Sequence, residues 1–203
     1  MHYKYIDIGT SDFDTCLNFV NSNNIENILL VEPILYYLNK LPTYPNVIKD
    51  NVAISNTTGK LKVYFLPDDI ISNYKLPWWL RGCNMINTRH PTVDRHLIDN
   101  NISLDLVESI DVDVITFDML CQKHNIESID NLKIDTEGHE EYILPDIFKK
   151  IKNGFSIDNI KFENQKFLGN ASLLDSIRDE FIKIGYRLIE QTDQDVVLSK
   201  KLT

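Results

Sequence analysis

Leu132-Lys133-Ile134-Asp135-Thr136-Glu137-Gly138-His139-Glu140 decides how the rest of the chain is read, because an apolar strand gives way there to a helical pattern. Leu132 and Ile134 fit a buried strand. Gly138 permits a tight turn or the close approach of a ligand, and His139 with Glu140 opens an amphipathic run through Ile143, Leu144, Ile147 and Phe148. Asp135, Glu137, His139 and Glu140 thus gather at the carboxyl end of a strand, which is where open α/β sheets bind ligands. The helix dipole alone also favours acids at such a place, so the weight falls on what surrounds this stretch.

Upstream, Tyr3 to Ile8 reads as a first strand, Thr15 to Asn21 as a helix, Asn27 to Val31 as a second strand and Ile34 to Leu41 as a second helix. Val47 to Ile54 supplies a third strand. Gly59 to Phe65 alternates polar and apolar residues as a half-exposed antiparallel strand does, and Val112 to Phe117 is expected to pair with it. Between them, Pro67 to Pro91 reads as irregular and long enough to be a lid. Downstream come helices at Asp118 to His124, Glu140 to Ile151 and Leu173 to Ile184, with a strand at Ile157 to Phe162. Gly185 to Ile189 and Asp195 to Ser199 close the chain as two strands joined by the polar turn Thr192 to Gln194. The pattern is one doubly wound α/β domain over residues 1–203, mostly parallel, with a C-terminal antiparallel hairpin and a lid inserted at about 60–110.

With 203 residues, 43% of them hydrophobic, the chain has material for one substantial core. A formal charge of -9 opposes the counterion-release mechanism of nucleic-acid binding, and no long Lys/Arg run offsets it. No apolar run is long enough to span a bilayer, and Met1-His2-Tyr3-Lys4 lacks the apolar centre of a signal peptide, so a soluble cytoplasmic protein is expected. Cys16, Cys83 and Cys121 are widely spaced and suggest reduced thiols rather than a disulfide framework or a zinc cluster.

Asp7-Ile8-Gly9-Thr10-Ser11 ends the first strand and Glu32 ends the second. That is the spacing of a cofactor site built from a glycine turn and a carboxylate that accepts two hydrogen bonds from a ribose diol. In the lid, Trp78 and Trp79 offer faces on which a sugar stacks, while Arg81, Asn84 and His90 read hydroxyls; the plainer alternative is that both tryptophans bury the base of the loop.

Through Asp7-Ile8-Gly9, Val31-Glu32-Pro33, Asn51-Val52-Ala53-Ile54-Ser55 with Gly59, and above all Lys133-Ile134-Asp135-Thr136-Glu137-Gly138, the chain resembles the FkbM-type S-adenosylmethionine-dependent methyltransferases over nearly its whole length. The resemblance implies a Rossmann-like fold and methylation of a hydroxyl group, often on a sugar or glycan. It implies that Asp7, Gly9, Thr10 and Ser11 line the methionine part of S-adenosylmethionine, that Glu32 holds the ribose, that Asn51 and Val52 flank the adenine and that Asp135 sits near the sulfonium. One departure stands out: the family's first motif has a second glycine where this chain has Phe13, so a rearranged loop is expected, with Asp12 and Asp14 either facing the cofactor's ammonium group or capping the next helix. His139 is the first candidate for the base because its ordinary pKa is near neutral, with Asp135, Glu137 or Glu163 orienting it or taking the proton themselves. Asp135, Glu137 and Glu163 also form a possible divalent-metal set. Other readings are a non-catalytic glycan-binding or assembly module on the same fold, which Phe13 favours, and a nicotinamide-dependent oxidoreductase, which the lack of a full GxGxxG disfavours.

Overall fold

The computed structural model describes residues 1–11, 27–41, 43–164 and 171–200. A seven-stranded sheet holds β1 (His2–Ile8), β2 (Ile28–Val31), β3 (Val47–Asp50), β8 (Ser128–Ile134), β9 (Ser156–Glu163), β10 (Arg187–Gln191) and β11 (Asp195–Ser199). Their order is β10-β11-β9-β8-β1-β2-β3. Pairing is parallel from β3 to β9, while β11 runs antiparallel to both β9 and β10. β2 is buried along its whole length and β1 along nearly all of it, as parallel strands in the middle of a covered sheet must be. The antiparallel edge strand β10 is exposed throughout.

The direction of winding reverses between β1 and β8, and the register makes that crevice a site. Ile8 pairs with both Val31 and Ile134, and Ile134 pairs in turn with Phe162. The next residue on each strand, Gly9, Glu32, Asp135 and Glu163, therefore stands in one row at the carboxyl edge of the sheet, the binding edge of a doubly wound fold. A sequence pattern cannot supply this alignment, because it depends on which strands become neighbours.

Helices α1 (Leu35–Lys40), α4 (Phe117–Lys123), α5 (Glu140–Lys152) and α6 (Ala171–Lys183) accompany the sheet. Ile143, Leu144 and Ile147 of α5 are fully buried and join Ile6, Ile129, Ile160 and Phe162 in the main core, which confirms the helical reading of that run. The helix expected at Thr15 to Asn21 lies outside the described residues, as do Asp12, Phe13, Asp14 and Cys16.

Two expectations needed correction, and one helix had no counterpart among them. Val47 to Ile54 is not one strand: β3 stays in the main sheet, whereas β4 (Ala53–Ile54) leaves it to pair with β7 (Glu108–Ile115). Alternation reports burial and is blind to which sheet does the burying. The segment from Pro67 to Pro91 is not irregular, since it contains α2 (Asp68–Asn73), a 3-10 turn at Trp78–Gly82 and β6 (Met85–Ile86). Finally α3 (Pro91–Asp99) follows directly, with proline at its first turn and Val93 and Leu97 buried one turn apart. The pairing of β5 (Gly59–Phe65) with β7 is as expected, and β4-β7-β5-β6 form a second sheet. The insertion also has an apolar core of its own, from Leu66, Ile71, Leu80, Cys83, Val93 and Leu97. It is thus a folded wall standing beside the binding edge.

Among the described residues no helix is long and apolar enough to cross a membrane. Cys83 and Cys121 are buried free thiols.

Candidate active site

Gly9 turns the chain at the end of β1 with φ at 83°, in the left-handed region. The Gly9 amide donates to the Val31 carbonyl oxygen and the Asp135 amide to the Ile8 carbonyl oxygen, each at 2.9 Å, so three strand ends are tied together. A Cβ at position 9 would lie 1.9 Å from the Asp135 carbonyl oxygen. Glycine is required there by backbone contact as well as by its dihedral angle.

Glu32 is fixed in the same region. Its Oε2 accepts the Ser11 N–H at 2.7 Å and its Oε1 accepts the Ile34 N–H at 2.8 Å. The carboxylate stands in the wall of a cleft lined by Gly9, Ser11, Glu32, Val52 and Asp135, with Asn84 contributed by the insertion. Ser11 is buried at φ 51°, and its hydroxyl oxygen has no hydrogen-bond partner among the described residues. A buried hydroxyl left without a partner is costly, and a polar ligand in the cleft would supply the bond. These residues fit a cofactor that carries a ribose and a charged amino-acid tail.

Asp7, Thr10 and Asn51, expected to touch the cofactor, do not line the cleft. Asn51 Nδ2 donates to the carbonyl oxygens of Glu32 and Pro33, both at 2.9 Å, and so braces the turn that presents Glu32. Thr10 is buried behind the turn. Asp7 is fully buried and faces Lys133, whose ammonium lies 3.4 Å from Asp7 and 3.1 Å from Asp135. Burial opposes the lysine's charge, but the two carboxylates outweigh it and hold the ammonium above the ordinary lysine range. Lys133 is a side chain whose task the sequence did not reveal.

Across the crevice, the turn after β8 is wrapped by Glu140. Its Oε1 accepts the Thr136 N–H at 2.6 Å and the Thr136 hydroxyl at 2.7 Å, and its Oε2 accepts the Gly138 N–H at 3.0 Å. The turn so held carries Glu137 at φ 51° and Gly138 at φ 103°. Glu137 is pointed by this backbone at the boundary between two cavities, the cofactor cleft and a second pocket lined by Met85, Ile86, Thr88, His139 and Tyr142. Burial, then the nearby Asp135 and Glu140, pushes the Glu137 carboxyl up to about 8. Burial likewise raises Glu140 to about 7, against the pull of its hydrogen bonds.

His139 is placed differently from its expected role. Its Nε2 lies 2.8 Å from the hydroxyl of buried Ser55, its ring packs on Tyr142 at 4.7 Å, and burial lowers its pKa to about 4. An imidazole with so low a proton affinity is a weak base at neutral pH. Ser55, its partner, stands at the end of the Asn51 to Ser55 motif, where nothing in the sequence marks its role.

Four of the lid residues expected to bind acceptor, Trp79, Arg81, Asn84 and His90, also separate. Trp79 meets the His96 ring edge-on at 5.4 Å, and the Arg81 guanidinium lies 5.2 Å from the Trp78 ring. Asn84 donates to the Arg81 carbonyl oxygen while lining the cofactor cleft. His90 is buried, with Nε2 3.1 Å from Glu137 Oε2. None of the four lines the second pocket.

Asp135, Glu137 and Glu163, named from sequence as a possible metal set, do converge, with one oxygen from each within 4.8 Å of the others. Lys133 already brings a positive charge to this group through Asp135. Cys83, His90 and Glu137 form a second group of the same span. There the histidine is wrongly poised for a metal: Nδ1 accepts the Thr92 N–H, so Nε2 carries the hydrogen, whereas a metal-bound imidazole needs one bare nitrogen and a hydrogen to donate from the other.

A family model described as the methyltransferase FkbM domain matches residues 7–188. No curated protein matches the chain. Among solved structures it is similar to the methyltransferase domain of METTL16 in a second crystal form, at 14% identity and a TM-score of 0.37, covering 99% of this chain and 61% of that one. It is similar to the N-terminal domain of human METTL16 in complex with SAH, at 13% identity and a TM-score of 0.38, covering 99% and 62%. A human methyltransferase 10 domain containing protein aligns at 15% identity and a TM-score of 0.32, covering 99% and 73%. The chain therefore spans about three fifths of the length of the two METTL16 structures.

Proposed function

The chain belongs to the FkbM family of S-adenosylmethionine-dependent methyltransferases, and from that premise we propose that it methylates a hydroxyl oxygen of a small molecule or glycan, with a sugar as the leading acceptor and Glu137 as the general base. The observation that carries this reading is the position of Glu137 in the shared wall of the cofactor cleft and the second pocket. A base for hydroxyl methylation must stand where the methyl donor and the acceptor meet, and its proton affinity must lie near the working pH. A carboxyl at about 8 meets the second condition better than an imidazole at about 4.

S-adenosylmethionine, when bound, supplies an electrophilic methyl group on a positively charged sulfur. Gly9, Ser11, Glu32, Val52 and Asp135 are the residues that would hold it. Glu137 would take the proton of the acceptor hydroxyl as the methyl group passed to that oxygen, and the sulfur would keep the electron pair of the C–S bond. Alignment of the three reacting atoms supplies much of the rate, and the row of residues at the sheet edge provides it. Thr88, Glu141 and the half-exposed ring of Tyr142 give the second pocket the hydrogen-bonding groups and aromatic face that suit a sugar. Among the described residues no lysine or arginine lines either cavity, which favours a neutral acceptor over a phosphorylated one.

The test pairs calorimetry with product analysis. S-adenosylmethionine is expected to bind wild type and Glu137→Gln alike, while methyl transfer to a panel of sugars, followed by mass spectrometry, is lost in the variant by about a hundredfold or more. Methylation confined to amines or carboxylates would sink the hydroxyl reading, and full activity in Glu137→Gln would remove Glu137 as base.

A further inference from the structure

We infer that β10 is a dimerisation edge: two copies of this chain pair their β10 strands antiparallel about a two-fold axis, joining two seven-stranded sheets into one. The inference does not depend on which residue is the base or what the acceptor is. β10 ends the sheet, and among the described residues it pairs with β11 alone. An edge strand offers its outer row of backbone N–H and C=O groups as a template for another strand. Here all five residues are exposed, among them Leu188 at 42% and Ile189 at 50%. Ile182 of α6, 39% exposed, extends this apolar strip. It follows Arg178 by one helical turn, and Arg178 Nη1 donates to Gln191 Oε1 at 3.0 Å, so that stripe of α6 lies along β10.

The order of charges selects the occupant. Arg187 pairs with Ser199 and Glu190 with Val197, and the register slips between Leu188 and Glu190. Ser199 and Val197 are two residues apart and share a face of the sheet. Arg187 and Glu190, three apart, share it too, because the bulge adds one residue between them. Neither side chain has an ion-pair partner among the described residues. In a two-fold pairing centred between Leu188 and Ile189, Arg187 of each copy lies opposite Glu190 of the other, which makes two attractive cross-strand pairs on one face. A parallel pairing would set arginine against arginine. The bulge acts in the same direction: an unbulged strand falls out of register with β10, whereas a second copy carries the same inserted residue at the symmetric place. Exposed charge pairs are weak, so backbone hydrogen bonds and the apolar strip hold the contact while the charges fix its register.

Sedimentation velocity on the whole chain, over about a hundredfold range of concentration, reads the association. Wild type is expected to pass from monomer to dimer. Arg187→Glu sets acid against acid and Glu190→Arg sets base against base, so each is expected to weaken self-association about tenfold or more, with Tm unchanged because both side chains are exposed. Mixing the two variants in equal amounts is expected to restore the dimer, since every facing pair is then of opposite sign, and the double variant Arg187→Glu, Glu190→Arg is expected to dimerise by itself. A wild type that stays monomeric throughout, or a dimer indifferent to both substitutions, would overturn the inference. So would single variants that dissociate and form no dimer when mixed, because only the antiparallel two-fold register pairs position 187 of one copy with position 190 of the other.

Discussion

The turn after β1 and the turn after β8 face each other across one crevice and are held by opposite means. At the first, backbone carries the design: Gly9 sits where only a hydrogen fits, Glu32 is clamped by two amides, and buried Asp7 faces the Lys133 ammonium. At the second, acids are buried without equivalent neutralisation, and Glu137 and Glu140 keep their protons to about 8 and about 7. A cofactor site gains from rigidity, whereas a proton-transfer site needs a group that burial keeps poised. The first turn should therefore be sensitive to shape and the second to pH.

Gly9→Ala tests the comparison hardest. Its Cβ would meet the Asp135 carbonyl oxygen, a backbone atom that cannot swing aside. The variant is expected to lose cofactor binding and to unfold many degrees below wild type, read by calorimetry and circular dichroism. Wild-type binding in Gly9→Ala would mean the two turns can separate, and the contrast would collapse.

Glu32→Gln comes next. The isosteric amide cannot accept both the Ser11 and Ile34 N–H bonds on equal terms, because one of its two ends is a donor. S-adenosylmethionine affinity should fall about tenfold or more, with little dependence on pH. A pH-dependent loss would place titration at the wrong turn.

The second turn makes a prediction of opposite sign for stability. Glu137 and Glu140 rise in the fold from an ordinary 4.5, so the stability they contribute is present below 4.5 and is lost as pH climbs toward 8 and 7. His90 and His139 fall from 6.5 to about 4, so theirs is present above 6.5 and is lost on acidification toward 4. The two pairs offset one another between about 4.5 and 6.5, and Tm should decline from pH 6.5 to 8. Glu137→Gln should flatten that decline, standing roughly 2–4 °C above wild type at pH 8, the response to about 1 kcal/mol in a domain this size, while being the inactive enzyme. Equal slopes in both proteins would show that Glu137 ionises normally.

The smallest effect expected is from chelation. Lys133 already serves the Asp135, Glu137 and Glu163 group, so methyl transfer should be unchanged by EDTA. A loss restored by Mg²⁺ or Mn²⁺ would replace the free base at the second turn with a metal.

Much of this was legible in the chain. The alternation of strands and helices, the terminal hairpin and the Asp135 to Glu140 turn follow from local periodicity and glycine placement, which neighbouring residues settle among themselves. The α3 helix could also have been read, since Pro91 at its start and the Val93 and Leu97 spacing are ordinary signals. The choice between His139 and Glu137 could not. Ordinary pKa values favour the histidine, and only packing shows that one is buried against Ser55 while the other stands between two cavities. His90 shows the same limit, because a residue chosen as a sugar contact stands 3.1 Å from a carboxylate 47 positions away in sequence.

The sequence by itself determined the family, the doubly wound α/β order and the residues capable of acid–base chemistry, because these depend on residue type and short-range spacing. Tertiary structure decided which of them share a crevice, which oxygen faces which donor and where each proton rests. Those properties come from strand register and desolvation, and both arise only when distant segments close on one another and exclude water.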